Sequence, residues 1–137
     1  MASGRGTPPK NRPGKFALPA ARVDSNGETP RFCLRHLQPG FDVAALDQAG
    51  RASFGMALHD RRAMTWTQII LSGRHGFGTE MIPTGQLKGP IPPAFRDEDK
   101  FLMLRYRGKL PMGGVRVADT FHIIWLEPQF GDLYDHG

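Results

Sequence analysis

The sequence predicts an α+β domain with element order β-α-α-β-β-β, in which two helices pack on one face of a small, mostly antiparallel sheet. Two observations carry that reading. The stretch from Lys100 to Glu127 divides into short apolar runs separated by Gly-rich or polar turns, as consecutive strands do. Ahead of it, apolar residues recur at helical spacing behind two capping residues, Asp42 and Thr65.

Each element has its own signal. Arg31 to Leu37 carries Phe32, Leu34 and Leu37 and reads as a first strand. Asp42 caps a main amphipathic helix, Val43 to Arg61, with Val43, Leu46, Gly50, Phe54, Ala57 and Leu58 on one face and Asp47, Arg51, His59 and Arg62 on others. Thr65 caps a short second helix, Trp66 to Ser72, with Trp66, Ile69 and Ile70 on one side and Gly73 ending it. Glu80 to Ile82 reads as a strand, and Pro83 to Pro93 is too rich in Pro and Gly to be regular. Three strands follow: Phe101 to Tyr106, a turn over Gly108-Lys-Leu-Pro-Met-Gly-Gly114, Val115 to Val117, an Ala-Asp-Thr corner, and Phe121 to Leu126. Strict alternation in the last one places Phe121, Ile123 and Trp125 on one face and His122, Ile124 and Leu126 on the other. A core of Leu46, Phe54 and Leu58 against Leu102, Leu104, Ile123 and Trp125 is therefore expected.

Composition bounds the rest. At 137 residues with 39% apolar content, the chain has room for one modest core and not for two. The net charge is +5, which favours a polyanionic partner such as nucleic acid. The single Cys33 excludes an internal disulfide and a multi-cysteine zinc site. No leader or membrane-spanning run is read, so the expectation is a cytoplasmic protein with no membrane partner. Residues 1–29 hold five Lys or Arg against two acids and few apolar side chains, and read as a flexible basic tail ahead of a single domain, 30–137.

The candidate chemistry is cationic. Arg105, Arg107 and Arg116 are woven into the last strands beside His122, more cations than a sheet needing only a core requires. Arg74-His-Gly-Phe-Gly78 joins a guanidinium able to fork onto a phosphate, an imidazole and two glycines; its plainer reading is a tight turn. His122, flanked by apolar residues, is most simply a satisfied sheet residue. Tyr134 and His136 lie in a terminal segment whose plain reading is disorder. Folded back over the basic sheet, that segment supplies a phenol and an imidazole for proton handling. The histidines show no His-x-x-x-His or His-Glu-x-x-His spacing, and no phosphate-binding loop or Gly-x-Ser-x-Gly elbow is present, so no metal or other cofactor is expected.

The passage Arg105-Tyr-Arg…Gly114-Val-Arg116…Phe121-His-Ile-Ile-Trp, with Tyr134-Asp-His136 at the terminus, resembles the basic-strand, reversal, hydrophobic-strand pattern of the RelE/ParE-type toxins of bacterial toxin–antitoxin systems. That resemblance covers 30–136 and implies a toxin acting as a metal-independent endoribonuclease on mRNA at the ribosome, neutralised by an antitoxin protein. It implies a site drawn from Arg74, His75, Arg105, Arg116, His122, Tyr134 and His136, with Arg105 and Arg116 on the phosphate, His75 or His136 moving protons, and Tyr134 stacking a base or moving a proton. The alternative is a non-enzymatic module whose basic face inhibits a replication, transcription or other nucleic-acid-processing protein, because that superfamily hosts both activities.

Overall fold

A computed structural model describes residues 24–72 and 78–137 of the chain. Five strands form one sheet: β1 (Arg31–Cys33), β2 (Thr79–Pro83), β3 (Lys100–Arg107), β4 (Leu110–Val117) and β5 (Thr120–Leu126). The spatial order is β1-β5-β4-β3-β2, with β1 parallel to β5 and every other pairing antiparallel. Helices α1 (Gln48–Arg61) and α2 (Trp66–Leu71) cover one face. The fold class is the α+β one that the sequence pattern predicts, with both helices on one face of a mostly antiparallel sheet, but the chain order is β-α-α-β-β-β-β, one strand more than the expected β-α-α-β-β-β.

The main helix starts later than its first capping signal. Asp42 caps only a 3-10 turn, Val43–Ala45, after which Leu46 is extended (φ −89°, ψ 149°) and drops into the core. Asp47 then caps α1 by accepting the Gly50 N–H at 2.7 Å, and its carboxylate is held from outside by Arg107 Nη1 at 3.0 Å. Two capping carboxylates five residues apart compete, and the one with a cationic partner on the sheet sets the helix. Gly50, Phe54, Ala57 and Arg61 form the buried stripe of α1. Arg61 is there because its guanidinium spends its donors on backbone, Nη1 to Ala57 O (3.0 Å) and Nη2 to Arg105 O (2.8 Å). α2 carries a full capping box, Thr65 with Gln68, and buries Trp66 and Ile69.

β4 is much longer than the run Val115 to Val117. The reversal before it needs only Gly108 and Lys109, with Gly108 at φ +54°, so Leu110 to Gly114 belong to the strand. Pro and Gly there signal a turn by composition, yet both glycines are required by a neighbour. Gly113 lies against Met103 and the Trp125 ring, and a Cβ on Gly114 would overlap the His122 carbonyl oxygen. That close approach marks a bulge, since the register with β5 slips between Gly113 and Gly114.

The slip corrects the expected alternation of β5. Phe121 and Ile123 face the helices, but Ile124 and Trp125 both turn to the opposite face and Leu126 returns to the helix side. Trp125 therefore does not pack against Leu46 or Phe54. It builds a second cluster with Phe101, Met103, Ile82, Phe95, Leu133 and Tyr134, and its indole N–H donates to Pro90 O at 2.8 Å. The irregular stretch 84–99 and the C-terminal segment cover this face. The sheet thus has a core on each side, where one was expected.

β1 is only three residues long, short of the expected Leu37, because the chain turns at Arg35 and His36. Residues 1–23 of the expected tail lie outside the described residues. Asp24 to Thr29 form a turn fastened to the start of α2, with Trp66 N donating to Glu28 O and Thr67 N to Asn26 O, both at 3.0 Å. The ordered domain therefore reaches back at least to Asp24. No helix among the described residues is long and apolar enough to cross a membrane.

Gly114→Ala should destabilise the fold by at least about 1–3 kcal/mol, because the obstructing atom is a backbone carbonyl that cannot move without losing the register. Urea midpoints of the variant and the wild-type chain measure the difference, and an unchanged midpoint would show that the bulge does not set the pairing.

Candidate functional site

The face opposite the helices is only partly covered. Trp125, Phe101, Leu133 and Tyr134 fill it over the centre of the sheet. Beyond them a cleft of about 320 Å³ opens between β2, the β3–β4 reversal and the C-terminal segment. Glu80, Arg105, Lys109, Tyr134 and His136 all line it.

Arg105 enters from β3 and is set by its backbone. Its N–H donates to Gly78 O at 3.3 Å and its carbonyl accepts from Arg61, so the residue is held on both sides. Gly78 (φ +65°) has no side chain because the Arg105 stem lies across it: a Cβ there would stand 2.5 Å from Cδ. Among the described residues, the Arg105 guanidinium has no carboxylate within ion-pair distance. A fixed, half-buried cation without a counter-charge is the physical signature of an anion site.

The other half of the site is built on Glu127, immediately after β5 and 0% exposed. Its Oε2 accepts the Leu133 N–H at 2.8 Å and its Oε1 pairs with His136 Nε2 at 2.7 Å. Those bonds turn the C-terminal segment back onto the sheet. His136 is then clamped between two rings, Phe130 at 4.0 Å with a 25° tilt and Tyr134 at 4.2 Å with a 26° tilt. With Nε2 committed to Glu127, Nδ1 is the nitrogen left for a ligand. Lys88 fastens the segment's edge, donating to Gly131 O at 2.9 Å and Asp135 Oδ1 at 2.7 Å, and that bond holds the exposed Asp135 carboxyl below its ordinary range.

Tyr134 lies beneath His136 and is nearly closed off from solvent. Burial raises its phenol far above the ordinary value of 10.0, with the nearby Glu80 and Glu127 charges acting in the same direction and Arg105 against them. It stays a neutral hydroxyl at any physiological pH and presents no open ring face for a base, which corrects the stacking role expected of it.

Seven residues were candidates from the sequence, and Arg105, Tyr134 and His136 come together here. His122 shares their face but stands at its other end, packed with Phe95 (5.5 Å) and His36 (5.9 Å). Its Nδ1 makes no hydrogen bond, and burial followed by the neighbouring His36 lowers its pKa, which favours the uncharged imidazole in this half-buried place. Arg116 is on the opposite face, stacked on the Trp66 ring at 4.5 Å with Nε donating to Ala118 O at 2.8 Å. Arg105 and Arg116 therefore do not converge on one phosphate. Arg74 and His75 lie outside the described residues. Glu80, Lys109 and Phe130 complete the cleft, with Glu127 bonded to His136 behind it, and the sequence singled out none of Lys109, Phe130 and Glu127. Among the described residues no group of three or more His, Cys, Asp or Glu could hold a metal ion.

Both tyrosines of the chain are buried, and Tyr106, whose hydroxyl donates to Glu127 O at 2.6 Å, is pushed up to about 12 mainly by burial. A phenol whose folded pKa is raised keeps its proton while the unfolded chain loses it, so its stabilisation is complete below pH 10 and lost as pH rises through 12. Absorbance at about 295 nm should show almost no phenolate in the folded protein at about pH 10, then a rise coincident with loss of near-ultraviolet circular dichroism. Ordinary titration of either tyrosine in the folded state would contradict the packing described.

Glu127→Ala should cost about 1–3 kcal/mol, since it strips a buried N–H at Leu133 of its acceptor and releases His136. Urea unfolding measures the loss, and limited proteolysis after Glu127 should become faster than in the wild-type chain.

No family model, no curated protein and no solved structure matches the chain.

Proposed function

We propose that this chain is a toxin of RelE/ParE type that cleaves mRNA without a metal ion, and that the cleft between β2, β3 and the C-terminal segment is where it does so. One observation supports this above the others: an imidazole oriented by a buried carboxylate stands in the same cleft as an arginine that forms no ion pair among the described residues. Positive charge and the strand motifs around Arg105 agree with it.

The chemistry follows from what in-line cleavage needs. Attack by a ribose 2′-hydroxyl on the adjacent phosphorus requires a base for the hydroxyl proton, an acid for the departing 5′-oxygen and positive charge around the phosphate. Arg105 forks onto two non-bridging oxygens and Lys109 adds a point charge from the reversal. Glu80, an exposed carboxylate on β2, takes the 2′-proton. His136 in its protonated form, with Nε2–H on Glu127, gives the Nδ1 proton to the leaving oxygen. Products are a 2′,3′-cyclic phosphate and a free 5′-hydroxyl, and the proton count balances. The ribosome would present the mRNA, an antitoxin segment would cover the cleft, and the site of action would be the cytoplasm.

A second reading, a non-enzymatic module that inhibits a nucleic-acid-processing protein, is favoured by one feature. Ile70, Leu71 and Met81 are exposed on α2 and β2, with Leu71 at 78%. Such a cluster suits protein contact more than RNA.

Arg105→Ala should lower cleavage by about two to three orders of magnitude while keeping the fold, and Arg105→Lys should recover part of it. Arg116→Ala should do the reverse, lowering the thermal midpoint through loss of the Trp66 stack and leaving cleavage intact. Primer extension on mRNA from cells expressing each variant reads the outcome. Growth arrest with intact RNA would refute the ribonuclease and leave the second reading.

A further inference from the structure

Between Glu127 and the C-terminus, the chain makes one tight turn. Asp132 N donates to Gln129 O at 3.0 Å, and Gly131 sits at φ +94° in the third position of that turn, where only glycine is relaxed. Phe130 therefore stands at the turn's tip and is held there. The residue is 58% exposed, an unusual place for a phenyl group in a segment that otherwise buries Leu133 and Tyr134.

The exposed ring is not isolated. Behind it comes His136 and behind that Tyr134, three planar groups in one column with spacings of 4.0 and 4.2 Å. The inner end is closed by the sheet, the middle ring is pinned by Glu127, and the outer end faces solvent. Phe130 is also the shared wall of two depressions. On one side is the cleft with Arg105 and Lys109. On the other is a trough of about 630 Å³ lined by Arg107, Gly108, Leu110, Pro128 and Gln129. Arg107 spends Nη1 on Asp47 and keeps the rest of its guanidinium towards that trough.

We propose that the open face of Phe130 is a nucleobase subsite for single-stranded RNA, with one flanking phosphate on Arg105 and Lys109 and the next on Arg107. A base is the planar group that extends such a column at one ring spacing, and every base has a face to offer. Cations on both sides of an aromatic ring match the alternation of phosphate and base along a strand. A stiff stack positions the base without an ordering cost at binding, because the turn and Glu127 have already fixed Phe130 and His136. The subsite rests on the ribonuclease reading for its choice of RNA, yet binding and cleavage separate in the test.

The experiment uses the full chain and two short ribo-oligonucleotides, one with a single 2-aminopurine and one abasic at that position. Binding of the first should quench 2-aminopurine fluorescence, as stacking on a ring does. Phe130→Leu should abolish the quench and weaken that probe about five- to a hundredfold, the scale of one base–aromatic stack, while leaving affinity for the abasic probe unchanged. Phe130→Trp should keep both quench and affinity. Replacing Arg105 and Lys109 together by Gln should weaken both probes alike. If Phe130→Leu binds and quenches like the wild type, the subsite is wrong, whatever the cleft does. Quenching that depends on Phe130 in a protein that cuts no RNA keeps the subsite and removes the enzyme. Failure of both probes to bind, or tighter binding of the deoxy counterpart, overturns the assignment to RNA.

Discussion

The rest of this structure hangs on the bulge where β4 meets β5. Gly113 and Gly114 let the His122 carbonyl approach so closely that β5 gains one residue on its partner, and Trp125 crosses to the face away from the helices. Without that crossing the far face would lose its largest side chain, and Leu133 and Tyr134 would have little to pack on. A fully buried aromatic is worth several kcal/mol in a domain whose net stability is of order 5–15 kcal/mol. The second core, and with it the ordered C-terminal segment, therefore depends on two glycines that look like turn residues.

The segment that the bulge makes possible is then fixed by one buried carboxylate. Burying Glu127 costs several kcal/mol in lost hydration, and that cost is offset only because both oxygens are used, one by the Leu133 N–H and one by His136. Its backbone carbonyl takes the Tyr106 hydroxyl as well, so the same residue joins the helix-side core to the far face. The His136 ring is thereby locked in orientation by an interaction that also holds the fold together. Stability and candidate chemistry share these atoms, which is why the imidazole can be pre-positioned without a separate ordering cost.

The sequence made the fold class legible through signals that act locally: caps at Asp42 and Thr65, helical spacing through Phe54 and Ala57, and apolar runs in β3 and β5. What stayed hidden was decided by partners distant along the chain. Asp47 outcompetes Asp42 because Arg107, 60 residues on, holds its carboxylate. Gly113 and Gly114 stand inside a strand because Met103, Trp125 and His122 leave no room for side chains there. Trp125 changes face because a bulge shifts the period-two pattern by one, and alternation alone cannot report a bulge. In the cleft, Arg105 and His136 were visible as chemistry-bearing types, but Glu127 was not, since a glutamate after an apolar strand ordinarily marks the return to solvent. Arg116 misled for a related reason: a cation in a strand can serve a phosphate or the face of a tryptophan, and only the side of the sheet distinguishes them.

The position of the cleft also has an electrostatic cause. Arg61 is buried under the Arg105 carbonyl and, although burial brings its pKa down to about 10, it remains charged at neutral pH. Arg105, Arg107 and Lys109 lie within five residues of one another at the same end of β3. Against these four cations stand Asp47, paired with Arg107, Asp135, paired with Lys88, the buried Glu127, paired with His136, and Glu80, exposed to water. A buried charge is weakly screened, so Arg61 adds to the field at the cleft mouth even though no ligand could touch it. Arg105 and Lys109 thus bring positive charge into the cleft beside the aromatic column, and among the described residues neither is taken up in an ion pair. On the proposed reading, an RNA strand entering there would meet Arg105, the oriented imidazole and the exposed Phe130 together, a phosphate and a base at neighbouring positions.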